Sequence, residues 1–183
     1  MKNFLVLVLV FFFLSLTAES QIRAFVKISE TSSTSWVVNL YGEKTITEDF
    51  SFSYFVFSAK AWTEAMGGLT YYISENTSVS LLAGVEQHPE VWRLAASSFF
   101  KKNGWALFTW VEKGGSKGNY WYNTCLTKQV SPFLTAGIMS SRFNVTGPYL
   151  ETPLMKSVSL WTNFGRDLEF KENRILIGLK ISL

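Results

Sequence analysis

The last ten residues, Arg174-Ile-Leu-Ile-Gly-Leu-Lys-Ile-Ser-Leu183, constrain this chain more than any other stretch. Ile175, Ile177, Leu179, Ile181 and Leu183 fall on one face of an extended strand, and Arg174, Gly178, Lys180 and Ser182 on the other. Alternation with a period of two marks a strand that is apolar on one side only. A bare apolar edge invites aggregation, so such a strand needs a neighbour on each side, and a closed barrel supplies both.

The other end carries a different signal. Met1-Lys2-Asn3 is a short basic start, and Phe4 to Leu16 is apolar apart from Ser15. Ala18 and Ser20 place small residues at the −3 and −1 positions of a cut before Gln21. This predicts a secretory signal peptide over residues 1–20 and a single domain over 21–183. The apolar run is short for a spanning helix, which needs roughly 20 residues, and polar residues interrupt every later apolar run.

Gly178, Ile181 and Leu183 reproduce a recognisable spacing: a Gly, two residues, a large apolar residue, one residue, and a large apolar residue at the end. This resembles the assembly signal that closes many bacterial outer-membrane β-barrels, although those usually carry aromatics, often Phe, at the last two positions. The resemblance implies an exported chain, folded by the outer-membrane barrel assembly machinery and surrounded by the lipid bilayer.

The rest of the chain has the rhythm of an all-β protein, with alternating or apolar runs every ten to fifteen residues, closed by turn-forming or charged residues. The runs are Ile22–Ser29, Ser35–Gly42, Phe50–Trp62, Gly67–Ser74, Thr77–Glu86, Glu90–Phe100, Gly104–Glu112, Asn119–Thr127, Phe133–Arg142, Gly147–Thr152, Lys156–Glu169 and Arg174–Leu183. They predict a closed antiparallel transmembrane β-barrel of twelve strands. If Gly147–Thr152, which contains Pro148, is not a strand and Ile22–Ser29 is a tail, ten remain. Bacterial single-chain barrels have even strand numbers, short periplasmic turns and longer outer loops, and twelve strands put Thr63–Met66 among the outer loops. Trp36, Trp62, Trp92, Trp105, Trp110 and Trp121 lie near proposed strand ends, where two aromatic girdles at the headgroup level would place them.

Little in the chain points to chemistry. Removing residues 1–20 takes away one Lys and one Glu, so the net charge stays at +3, and scattered bases give no nucleic-acid footprint. The single Cys125 excludes an internal disulfide framework and reads as a small packing residue, with room to face the lumen beside Asn123 and Thr127. His88 is the one imidazole and falls in a connection, without the neighbours of an activated serine. No metal-ligand spacing occurs, and Gly114-Gly115-Ser116-Lys117-Gly118 lacks the strand-to-helix context of a phosphate loop. The reading is of a non-enzyme without cofactor.

The inward face is more informative. If Val79, Leu81 and the terminal isoleucines face lipid, parity turns Ser78, Ser80, Gly84, Glu86, Arg93, Ser97, Thr135, Gly137, Ser141, Ser157, Ser159, Asn163, Gly178, Lys180 and Ser182 inwards, joined by Arg23, Lys27 and Arg174. A charge on the lipid face at mid-depth costs roughly 2–4 kcal/mol, so the bases belong inside. The expectation is a passive channel for small polar or anionic solutes, lined by Arg23, Lys27, Glu86, Arg93, Asn163, Arg174 and Lys180. Two alternatives stay open: a filled, structural or adhesive barrel in which Glu86 pairs with an arginine, and a secreted lipocalin-like β-protein whose apolar face points inwards to a ligand.

Overall fold

The computed structural model describes residues 19–30, 34–60, 62–87 and 89–183. Among them are twelve strands and no helix: β1 (Glu19–Ser29), β2 (Ser35–Thr45), β3 (Phe50–Ala59), β4 (Trp62–Ser74), β5 (Thr77–Glu86), β6 (Trp92–Lys102), β7 (Trp105–Gly114), β8 (Tyr120–Ser131), β9 (Leu134–Ser141), β10 (Thr146–Met155), β11 (Val158–Asp167) and β12 (Glu172–Ser182). Each pairs antiparallel with its sequence neighbours, and β1 pairs with β12 to close a barrel. The closing register runs from Gln21 opposite Ser182 to Ser29 opposite Arg174. The Leu183 N–H donates to the Ser20 carbonyl at 2.8 Å. β1 begins at Glu19, two residues before the expected cut, and residues 1–18 and His88 lie outside the described residues.

All twelve expected runs are strands, and the ten-stranded alternative falls away. Pro148 is accommodated within β10, on its outward face opposite Ile138. Several expected connections are strand: residues 128–131 extend β8 and residues 153–155 extend β10. Thr63–Met66, expected as an outer loop, belongs to β4, which pairs with β3 from Trp62 opposite Ala59 onwards. The reason is chemical: Trp62, Glu64 and Met66 alternate inwards, the Trp62 indole donates to Glu64 at 3.0 Å, and Glu64 has a cationic partner inside. At the end carrying the termini, Asn103 and Gly104 turn the β6–β7 hairpin with φ of 52° and 77°. Two positive φ values make a primed turn, whose twist matches that of the flanking strands.

The outer wall is apolar, with Leu81 72% exposed and Ile138 61% exposed, and Val26, Ile28, Ile175, Ile177 and Leu179 exposed beside them. Trp36, Trp92 and Tyr120 ring the far end, and Phe50, Tyr71, Phe100 and Trp105 ring the end near the termini; all are exposed. Trp62, Trp110 and Trp121 do not join these girdles. Trp110 shares a face with buried Glu112 and opposes Ser97 and Asn123, which places it inside the barrel. Parity overrides depth here, because Val111 on the other face is already the outward residue.

The barrel is flattened. Trp110 of β7 meets Phe55 of β3 with ring centroids 5.0 Å apart, and Tyr41 of β2 edge-on at 6.4 Å. Strands five apart in a ring of twelve therefore touch across the interior. The wall bends where β3 approaches β5 and β4 approaches β6, and glycine permits that bend. A Cβ on Gly84 would lie 2.0 Å from the Ala65 carbonyl oxygen and 2.6 Å from Met66 Cα, both backbone atoms of the adjoining strand. Glycine kinks of this kind give barrels their corners. Gly84→Ala should therefore force the β4–β5 pairing apart and cost about 1–3 kcal/mol, measured as a lower urea midpoint for loss of the compact, heat-modifiable band on gels.

Candidate functional site: the barrel interior

The interior is built in three tiers, each from side chains that alternate with the apolar outer wall. The tier at the far end holds two ionic clusters. On β4 to β7, the Arg93 guanidinium lies 2.8 Å from Glu64, 2.6 Å from Glu86 and 2.7 Å from Glu112. All four residues are buried. Asn119 accepts from Arg93 at 3.0 Å and donates to Glu86 at 2.5 Å, closing the ring of contacts. On the opposite wall Arg174 pairs with Asp167 and Glu172 and donates to the Phe143 carbonyl at 2.6 Å. Lys27 donates to the same carbonyl at 3.3 Å.

The middle tier is apolar. One cluster gathers Phe55, Met66, Leu82, Ala95 and Trp110; the other gathers Phe25, Val37, Met139, Val145, Tyr149, Trp161 and Leu176. Phe57 packs against both and joins them. Cys125 faces inwards opposite Met139 and packs on the second cluster.

The tier near the termini is a hydroxyl network. The phenols of Tyr41 and Tyr72 donate to Glu43, Ser53 donates to the same carboxylate at 3.3 Å, and hydroxyl contacts run from Ser53 to Thr70 at 2.5 Å and on to Ser80 at 2.7 Å. Across the barrel Lys180 pairs with Glu151, which also accepts from Tyr149 at 2.6 Å.

The seven lining candidates therefore have different environments. Glu86 and Arg93 are brought together and neutralise one another; Arg174 and Lys180 are also paired. Asn163 is fully buried, donating to the Gly147 and Pro148 carbonyls at 2.9 and 2.8 Å, so its amide ties β11 to β10. Arg23 and Lys27 are half-buried, and among the described residues neither forms a salt bridge, although Glu151 interacts electrostatically with Arg23, and Asp167 and Glu172 with Lys27; Arg23 donates to Gln21 at 3.1 Å. At the closing strand Gly178 faces inwards against Phe25 and Trp161, and Ile181 outwards, while Leu183 is exposed.

Sequence reasoning missed Glu43, Glu64, Glu112 and Glu151, and a repeated signal was there to find them. Tyr41-Gly-Glu43, Trp62-Thr-Glu64, Trp110-Val-Glu112 and Tyr149-Leu-Glu151 share one pattern, and in each the ring N–H or O–H donates to the glutamate two residues on. Residues two apart share a strand face, so an aromatic donor at that spacing anchors an inward carboxylate. The Arg93 cluster should show the cost of breaking such an arrangement. Arg93→Met leaves three buried carboxylates without their cation and should lower stability by roughly 3–5 kcal/mol, read from the urea midpoint; adding Glu64→Gln, Glu86→Gln and Glu112→Gln should recover most of that loss.

No family model and no curated protein matches the sequence. Solved structures do match the fold. A KdgM porin in complex with disordered oligogalacturonate is similar with a TM-score of 0.65 at 12% identity, over 89% of this chain and 99% of that one. The Acinetobacter baumannii outer membrane protein Omp33 is similar at 0.58 and 9% identity, over 92% and 100%. The outer membrane phospholipase A of Escherichia coli is similar at 0.54 and 11% identity, over 89% and 92%. The chain thus shares the closed antiparallel barrel fold of bacterial outer-membrane porins, over nearly the whole length of each.

Proposed function

We propose that this protein is a bacterial outer-membrane barrel through which small polar and anionic solutes diffuse passively. The observation that carries the reading is the pair of inward bases on β1: Arg23 and Lys27 are half-buried and form no salt bridge among the described residues, while every inward glutamate of the far-end clusters is held by an arginine. Half-buried Asn39, Asn123 and Thr127 continue the polar surface on β2 and β8. A narrow, low-dielectric interior concentrates the field of nearby charges, so a stripe of bases along β1 gives an anion a favourable wall to follow. The similar KdgM porin in complex with disordered oligogalacturonate, an acidic oligosaccharide, supports the same choice of solute class. The apolar outer wall supports a bilayer setting and argues against a soluble lipocalin-like protein, whose polarity would be reversed.

A second reading has its own observation. The Trp110 bridge to Tyr41 and Phe55, with two apolar clusters around it, suits a closed barrel with a structural or adhesive role. Planar-bilayer recording separates the two. A channel should give small unit currents with a reversal potential on the anion side, and Arg23→Glu with Lys27→Glu should move that potential to the cation side. Trp110→Ala, which removes the bridge, should raise the unit conductance severalfold. Silence from wild-type protein that migrates as a folded, heat-modifiable band would select the closed barrel.

A further inference from the structure

The outer wall carries a hollow of its own. Across β5 to β8 a groove of about 640 Å³ is lined by Leu81, Leu94, Ala96, Val111, Tyr120 and Tyr122. The register explains it. Leu81, Ala96, Val111 and Tyr122 stand side by side on four adjoining strands, and Ala96 is the short member of the row, so it forms the floor. One step towards the termini the row is Val79, Ser98, Thr109 and Thr124, again short on β6, β7 and β8. One step towards the far end it is Ala83, Leu94, Lys113 and Tyr120, long on β6, β7 and β8. The hollow is an apolar slot, open along the wall, with a base at its far end.

Charge identifies what fits the slot. Lys113 is exposed, and its ammonium donates at 2.8 Å to the carbonyl of Ser116, the residue before exposed Lys117. Neither lysine has an acidic partner among the described residues. Arg142 covers the Tyr120 ring at 3.6 Å and holds the β7–β8 loop through the Gly118 and Tyr120 carbonyls at 2.9 and 2.5 Å, its own charge met by Glu169 at 2.7 Å. Trp92 and Tyr120 of the far-end girdle flank the same spot, and amphipathic rings sit at headgroup level.

We infer that the β5–β8 face binds a phosphate-bearing saccharolipid of the outer leaflet, with one acyl chain in the groove over Ala96 and its phosphates at Lys113 and Lys117. The inference rests on the outer-membrane reading above, which turns the far end outwards to the leaflet where such lipids reside. Two free lysines suit a multiply phosphorylated head better than a single zwitterionic one. The chain in the groove covers apolar wall that the shallow floor at Ala96 leaves unpacked.

Native mass spectrometry of the folded, detergent-solubilised barrel tests it, with diphosphoryl lipid A as one probe and phosphatidylcholine of matched chains as the other. Wild type should retain lipid A in preference to phosphatidylcholine. Retention should fall about tenfold in K113E/K117E, which alters two exposed residues, and to a similar extent in A96W, which fills the floor. Equal retention of the two lipids, or undiminished lipid A on K113E/K117E, overturns the site. Each variant is first checked for the heat-modifiable band. Wild-type protein that is recovered soluble, with no such band, overturns the membrane reading itself, a result distinct from a folded barrel that binds neither lipid selectively.

Discussion

Everything in this structure depends on the pairing of β1 with β12. Inside a hydrocarbon layer no water is available to a free backbone N–H or carbonyl, so a sheet persists there only if its two edges satisfy each other. The register from Gln21–Ser182 to Ser29–Arg174 does this along nearly the whole of both strands. Once the ring is closed at twelve strands its circumference is set, and the remaining freedom is in the shape of the cross-section. The glycines at the β4–β5 bend, where neighbouring backbone leaves no room for a Cβ, let the ring flatten until β7 meets β2 and β3 through Trp110.

Flattening decides the electrostatics. A carboxylate inside so narrow a barrel cannot keep its water shell, and an isolated buried charge is costly. The chain meets the cost locally: four glutamates each receive a donor from the aromatic residue two positions earlier. Three of them, together with Glu86, also face a base, either Arg93 or Lys180, and Glu43 is instead enclosed by hydroxyls. The acids are thereby tied to the wall. Arg23 and Lys27 form no salt bridge among the described residues, so the β1 wall keeps two bases that are not locked into a cluster.

How much of this was legible follows from what period-two reasoning can see. Strand number, the place of Pro148 inside a strand, and the inward direction of Arg93, Arg174 and Lys180 were readable, because polar residues alternate with apolar ones on β5, β6 and β12. The inward apolar residues were not. Leu82, Met66 and Leu176 interrupt the alternation and look like noise when the inner face is expected to be polar, yet they are the packed middle tier. Tryptophan was ambiguous for a similar reason. Trp105 and Trp110 lie close together on one strand, but five residues apart they have opposite parity, and only one can meet lipid. The length of β4 was hidden because Thr63–Met66 carries a charge and small residues typical of a loop, and the partner that makes Glu64 a strand residue, Arg93, comes from β6.

The same parity separates two kinds of positive charge that composition would pool. Glu112 and Lys113 are adjacent in sequence, but Glu112 points inwards to Arg93 and Lys113 outwards at the rim of the Ala96 groove. A slip of one residue in the β7 register would exchange them, burying a lysine beside Arg93 and presenting a carboxylate to the leaflet. The Arg93 cluster opposes that slip more strongly than any apolar contact of β7 could, since it would set two buried cations against each other and remove one of their three anions. The ionic tier therefore acts on both faces: it ties the acids of the far end to their bases and fixes the register that keeps Lys113 on the outer wall.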